Sequence, residues 1–270
     1  MRLRTLVKIA LSLLALAFVL VGVSYSMLRA QGVANPSSTA GRVTRTETRE
    51  IGNGIRAIDL EGPIDLTVRQ GGVPKLKVRG EQRLLGNVVT QQEGGTLRIG
   101  TTGMVFHHRR PLQVELELPS LAEVTVRGNG DSSVQGFSGE RLQLAMNGSG
   151  SLSFNGRYRH VKAAVRGSGT LDVKAGNSED VELEMVGSGT IASSGSCRKL
   201  SAGISGSGDI DAEHMACDDA IVKIHGSGSS RAFARKSAVV SVAGSGDATV
   251  YGNPDERVVS RTGSGSVDFE

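Results

Sequence analysis

The sequence predicts an all-β solenoid of about 19–20 residues per coil, preceded by an N-terminal signal or anchor helix. Three observations predict it. A glycine-flanked serine recurs at Gly148-Ser149-Gly150, Gly167-Ser168-Gly169, Gly187-Ser188-Gly189, Gly206-Ser207-Gly208, Gly226-Ser227-Gly228, Gly244-Ser245-Gly246 and Gly263-Ser264-Gly265, with a degenerate forerunner at Gly128-Asn129-Gly130. Successive first glycines lie 20, 19, 20, 19, 20, 18 and 19 residues apart, and a fixed period of this size marks stacked supersecondary units. Around each motif apolar and polar residues alternate with period two, which is the pattern of a strand with one buried face. The 37 glycines, the 3% aromatic content and the absence of Trp suit a narrow core filled by aliphatic side chains.

The chain opens on a basic stretch, MRLRTLVK, followed by an apolar, uncharged run over residues 9–28. Residues 1–30 therefore read as a secretory signal or an uncleaved membrane anchor. The cationic start puts the short N-terminus in the cytoplasm and everything after Arg29 outside it. No cysteine follows the apolar run, which argues against a lipoprotein anchor. The polar residues 31–49, with Pro36, Ser37 and Ser38, read as a tether, leaving residues 50–270 for the folded domain.

Charge excludes one class of partner. Of 31 basic residues, Arg2, Arg4, Lys8 and Arg29 lie in the first thirty positions, and the remaining 27 match the 27 acidic ones. A nucleic-acid binder carries a basic stripe on its folded part, and a neutral domain does not.

Between residues 50 and 120, Ile58-Asp59-Leu60, Ile64-Asp65-Leu66-Thr67-Val68, Leu76-Lys77-Val78, Leu97-Arg98-Ile99 and Val114-Glu115-Leu116-Glu117-Leu118 alternate well. They read as the first coils, joined by longer loops, with residues 100–111 protruding most. In the repeats, Met146, Val165, Met185, Ile204, Ile224 and Val242 stand two places before the first glycine, and Leu144, Ala163, Leu183, Ala202, Val222 and Val240 stand four before. Both sets point inward. After the second glycine Leu152, Leu171, Ile191, Ile210, Ala248 and Val267 resume the inward set. Each coil is thus a strand, a glycine corner and a second strand, and the rest turns the chain back. Glycine at the corner permits positive φ and close stacking, and the serine between offers a ladder of hydroxyls. In the last coil Arg261 takes the place of the buried aliphatic, as in a terminal repeat with nothing stacked beyond it.

From about Ile51 to Glu270 the chain resembles a bacterial family described as "putative auto-transporter adhesin, head GIN domain". The residues that carry the resemblance are Ile64 to Gly71, Gly95-Thr96-Leu97-Arg98-Ile99, the strand from Val114 to Leu121, and then the Gly-Ser-Gly series. The resemblance implies a single-stranded right-handed parallel β-helix on an exported protein. It supplies no catalytic residues.

Cys197 and Cys217 are 20 residues apart, one coil, so they stack within reach of a disulfide. An even cysteine count in an exported chain favours that pairing; two stacked free thiols and a metal site are the alternatives. Asp131, Asp172, Asp209, Asp211, Asp247 and Asp268 recur near the corners and read as a solvated face in preference to a calcium site. His107-His108-Arg109-Arg110 is a compact basic patch on the expected loop, while His160, His214 and His225 have no regular coil spacing. No catalytic, cofactor-binding or metal motif is present. Tyr158, Phe154, Tyr251 and Phe233 are scattered, too few for a sugar-stacking face.

These readings converge on an exported cell-envelope protein in the periplasm or at the cell surface. Its expected role is a non-catalytic binding and adhesion module for an envelope or extracellular protein or glycan. The alternatives are a periplasmic scaffolding solenoid, self-associating through exposed strands, and a carbohydrate-active enzyme.

Overall fold

The computed structural model describes residues 43–103 and 111–270. The expected signal or anchor, the tether before residue 43 and the His107-Arg110 patch lie outside the described residues. Among those described, no helix is long and apolar enough to cross a membrane.

In chain order the strands are β1 (Thr44–Arg49), β2 (Ala57–Glu61), β3 (Ile64–Gln70), β4 (Lys75–Glu81), β5 (Val88–Glu93), β6 (Thr96–Thr101), β7 (Leu112–Leu118) and β8 (Glu123–Gly128). There follow β9 (Asp131–Gly148), β10 (Ser151–Gly167), β11 (Thr170–Gly187), β12 (Thr190–Gly206), β13 (Asp209–Gly226) and β14 (Ser229–Gly244), then β15 (Asp247–Tyr251), β16 (Glu256–Gly263) and β17 (Val267–Phe269). One short helix, α1 (Gln82–Leu85), follows β4. The whole is an all-β solenoid of about seven turns.

Each of β9 to β14 is a complete coil. It starts after one glycine corner, bends around the solenoid and ends at the next first glycine, in parallel register with the coils on either side. The return segments turn the chain back as expected, and they do so while paired in the sheet. Asn177 and Ser178 pair with Ser196 and Cys197, so the bend is made at Gly176 and Gly195, both with positive φ. Bending at glycine keeps the backbone hydrogen-bonded, which a buried open turn would forfeit.

The period-two columns face inward as expected. Met146, Val165, Met185, Ile204, Ile224 and Val242 are all buried. Volume is balanced within coils: the coil holding Phe154 and Tyr158 has Ala163 where the next coil, with Ala175, has Leu183.

The N-terminal part corrects the expectation of consecutive coils. β2 and β3 form a coil in the middle of the stack, covered on one side by β8 and β9 and on the other by β6 and β7, which come later in sequence. The outermost coil, β6–β7, is flanked by antiparallel β5 and β4. Strand β1 then pairs antiparallel with β4, so the tether expected over residues 31–49 ends before Thr44. Its polar side chains hid the strand, because an edge strand held by backbone bonds needs no buried face. The protruding loop also begins later than residue 100, since β6 runs to Thr101.

The other end carries the expected polar substitutions. Val242 is in register with Arg261, and Ala238 with Arg257. The Arg257 guanidinium lies 4.7 Å from the centre of the Phe269 ring, and Arg261 donates to the Gly265 carbonyl at 3.2 Å. Two arginines fold over the last layer of core.

Candidate binding surface

The glycine corners set the spacing of every outward column. Gly206 has φ +129°, and a Cβ there would lie 2.4 Å from the Gly187 carbonyl oxygen. Gly208 has ordinary φ, yet a Cβ would meet the Gly189 carbonyl oxygen and Met185 at 2.7 Å. The first glycine answers to conformation and contact, the second to contact alone. The expected ladder of serine hydroxyls is largely replaced by a backbone ladder. The Ser168, Ser188, Ser207, Ser227, Ser245 and Ser264 N–H groups each donate to the first glycine of the preceding coil at 2.9–3.0 Å. Only Ser245 and Ser264 are joined through their hydroxyls, at 3.0 Å.

Beyond the corner a column of short polar side chains follows the axis: Asp131, Ser151, Thr170, Thr190, Asp209, Ser229 and Asp247, each in register with the next. Ser151 donates to Asp131 at 2.6 Å, Ser229 to Asp209 at 2.5 Å and Ser266 to Asp247 at 2.8 Å. The backbone N–H groups of Ser229 and Ser266 donate to the same carboxylates. These aspartates knit coils together. The neighbouring outward column holds Asp172, Asp211 and Arg231, with Arg231 3.4 Å from Asp211.

On the opposite bend, Glu140, Arg159, Glu179, Arg198, Asp218, Lys236 and Asp255 each stand eight residues before a first glycine, and their charges alternate without exception. Arg159 reaches Glu140 at 3.3 Å and Glu179 at 2.6 Å, and Lys236 reaches Asp218 at 2.8 Å. The Arg159 hydrogen bond holds the Glu179 carboxyl below the usual carboxylate range, and Lys236 does the same for Asp218. A general acid needs the opposite shift. His160, which the sequence left isolated, lies one coil from Asp180, with Nδ1 2.9 Å from its carboxylate and Nε2 3.9 Å from Glu179. These three present metal-ligand atoms within 4.8 Å of one another, but Arg159 and Arg198 already pair with the two carboxylates.

Cys197 and Cys217 are in register on β12 and β13 and joined by a disulfide, with Cα atoms 4.4 Å apart. Of the scattered aromatics, Tyr158 and Phe154 are core residues. Phe233 and Tyr251 are in register on adjacent coils and are half-exposed. Surface hollows are shallow. One of about 150 Å³ runs between Arg69, Lys75, Lys77, Glu115 and Glu117, where Lys75 and Glu117 approach to 3.5 Å. Another, of about 510 Å³, follows the return side over Gly136, Gly156 and Gly176. The exterior is thus a set of flat ribbed faces whose charges are largely neutralised pairwise. It offers hydrogen bonds and shape to a broad partner.

Comparison with known proteins agrees with this geometry. The sequence family model described as "Putative auto-transporter adhesin, head GIN domain" matches residues 55–254. A crystal structure from Parabacteroides distasonis, titled a putative lipid binding protein, is similar with a TM-score of 0.78 and 22% identity, over 84% of this chain and 96% of that one. A putative adhesin from the same organism gives 0.76 and 20%, over 84% and 97%. One from Parabacteroides merdae gives 0.75 and 22%, over 84% and 96%. At these identities the likeness speaks for the fold. No curated protein matches the chain.

Proposed function

The chain belongs to the "putative auto-transporter adhesin, head GIN domain" family, and from that membership we propose that it is an exported cell-envelope protein whose solenoid is a non-catalytic binding and adhesion module. The observation that carries this reading is the ribbed polar column from Asp131 to Asp247, repeated coil after coil beside the glycine corner. Its partner is a protein or glycan large enough to span several coils at about 4.8 Å each. With Phe233, Tyr251 and Phe269 the half-exposed aromatics among the described residues, the surface suits a protein better than a stacked sugar ring.

The intramolecular disulfide fits an oxidising compartment. The winding is right-handed, as crossovers between parallel strands prefer. The chain enters the solenoid at β1, beside the β4–β7 end. An uncleaved anchor over residues 9–28 would therefore hold that end toward the inner membrane and turn the arginine-covered end away from it.

The test is labelling of intact cells with a membrane-impermeant amine reagent, for which Lys174 and Lys236 are well exposed. Labelling before the outer barrier is opened supports adhesion. Labelling only afterwards would replace this reading with the periplasmic scaffold, which the edge of β16, paired only with β14 among the described residues, favours.

A further inference from the structure

Among the described residues one group of three metal-ligand side chains stands together: His160, Glu179 and Asp180, with ligand atoms within 4.8 Å of one another. His160 on β10 is in register with Asp180 on β11, so the imidazole of one coil lies beside the two carboxylates of the next. Arg159 and Arg198 do not use those carboxylates up. Arg159 takes Oε1 of Glu179 at 2.6 Å, and Oε2 is the oxygen facing Nε2 of His160, at 3.9 Å. Arg198 lies 3.6 Å from Oδ1 of Asp180, and Oδ2 is the oxygen facing Nδ1, at 2.9 Å. Each arginine thus orients a carboxylate whose second oxygen is turned to the imidazole.

The two sides of the imidazole differ. An ionised carboxylate only accepts, so Nδ1 donates to Asp180 at 2.9 Å, and the neutral ring then carries its lone pair on Nε2. A carboxylate on the far ring nitrogen is the arrangement that fixes the tautomer of a metal-binding histidine and raises its basicity. On the other side, 3.9 Å is too long for a hydrogen bond between Nε2 and Glu179. It is close to the sum of a zinc–nitrogen and a zinc–oxygen bond, about 4.1 Å, and about 0.5 Å of closure gives the tetrahedral angle. We propose that His160 Nε2 and Glu179 Oε2 bind a zinc-class divalent cation, with Asp180 orienting the imidazole and water completing the coordination. Imidazole with carboxylate suits zinc, whereas magnesium and calcium take oxygen ligands. All three side chains are half-exposed, so water reaches the ion. Bound there, the ion joins β10 to β11 on the bend opposite the ribbed polar column, and the site stands or falls independently of the adhesion reading.

Calorimetric titration of the full, detergent-solubilised chain with zinc chloride tests this, with magnesium chloride as the comparison. His107 and His108 are adjacent imidazoles in the sequence, so every chain in the series carries His107→Gln and His108→Gln. The parent should take up one zinc ion, and its melting temperature should rise with zinc concentration, as for any ligand of the folded state. His160→Gln and Glu179→Gln should each abolish both effects. Asp180→Asn should weaken zinc binding about 10–100-fold, the usual cost of losing the partner of a metal-bound histidine. His214, which has Glu213 at 3.6 Å but belongs to no such group among the described residues, is the control, and His214→Gln should bind as the parent does. The zinc-free far-ultraviolet spectrum verifies each fold. A folded parent that gives no heat with zinc, binding indifferent to His160→Gln or Glu179→Gln, full affinity in Asp180→Asn, equal loss in His214→Gln, or magnesium bound as tightly as zinc would each overturn the proposal.

Discussion

The Tyr158 hydroxyl donates to the Leu121 carbonyl at 2.7 Å, tying the β10 coil to the segment before β8. Tyr158 is 2% exposed, and burial pushes its hydroxyl up to about 12. Tyr158→Phe leaves the carbonyl without this donor and should cost about 1–2 kcal/mol. The sign of the pH dependence follows. A folded value above the unfolded value of about 10 gives stability that is complete below pH 10 and lost as pH rises toward 12. Denaturant titrations from pH 9 to 12 should show wild type losing stability and Tyr158→Phe losing much less.

The disulfide closes a loop of one coil. Constraining the unfolded chain over about 20 residues is worth roughly 3 kcal/mol. Reduction, or Cys197→Ser with Cys217→Ser, should lower the midpoint of urea unfolding accordingly without changing the far-ultraviolet spectrum. The oxidised protein should also migrate faster than the reduced one on a denaturing gel. Identical migration, with two thiols open to alkylation, would remove the bridge.

The corner separates glycine from serine. Gly208→Ala forces a methyl to within 2.7 Å of a backbone oxygen and should destabilise by about 1–3 kcal/mol, the usual range of overpacking. Ser207→Ala removes an exposed hydroxyl while the backbone bond to Gly187 stays, and should change stability by less than about 0.5 kcal/mol. Gly203→Ala is the control, since its Cβ would find nothing nearer than 3.9 Å. Comparable losses at Ser207 and Gly208 in thermal melts would return the corner to a hydroxyl ladder.

Among the described residues, three core positions carry hydroxyls without a hydrogen-bond partner: Ser132, Ser193 and Ser230. Ser230 stands in the column of Ile210 and Ala248 and is 2% exposed. An unpaired buried hydroxyl costs roughly 1–3 kcal/mol, and Ala already fits the next layer. Ser230→Ala should therefore raise the melting temperature by a few degrees. A fall would mean that the hydroxyl holds a partner in solution.

The inward columns were legible because a one-residue slip would turn every apolar side chain outward. Met146 to Val242 could be assigned from spacing alone. The arrangement of β4 to β7 was not, because Leu76-Lys77-Val78 alternates identically whether its neighbour runs parallel or antiparallel. The aspartates were seen but their serine partners were not, since Asp209 and Ser229 look unlike until the register aligns them. The ion column was fully present in the sequence, at a constant offset from each first glycine. The same period that revealed the corners would have revealed it, had charges been aligned with the apolar positions. His160 and Asp180 were missed for the same reason.

That ion column sets the acid response. Glu179 and Asp218 are held below the usual carboxylate range by Arg159 and Lys236. A depressed folded value gives stability present above the unfolded pKa of about 4 and lost as pH falls through the folded value. Arg159→Gln and Lys236→Gln should each flatten the decline in melting temperature between about pH 5 and pH 2. Because the pairs are exposed, each effect is small and screened by salt, and the double variant should add the two, as distant sites do. Placement matters more than count: adjacent coils carry opposite signs, so stacking a coil on the next but one would oppose like charges at that step. Arg159→Glu puts a third acidic side chain between Glu140 and Glu179. It should destabilise more at pH 7 than Arg159→Gln while losing the difference at pH 3. Equal melting of the two variants at pH 7 in low salt would show that the alternation contributes nothing to the stack.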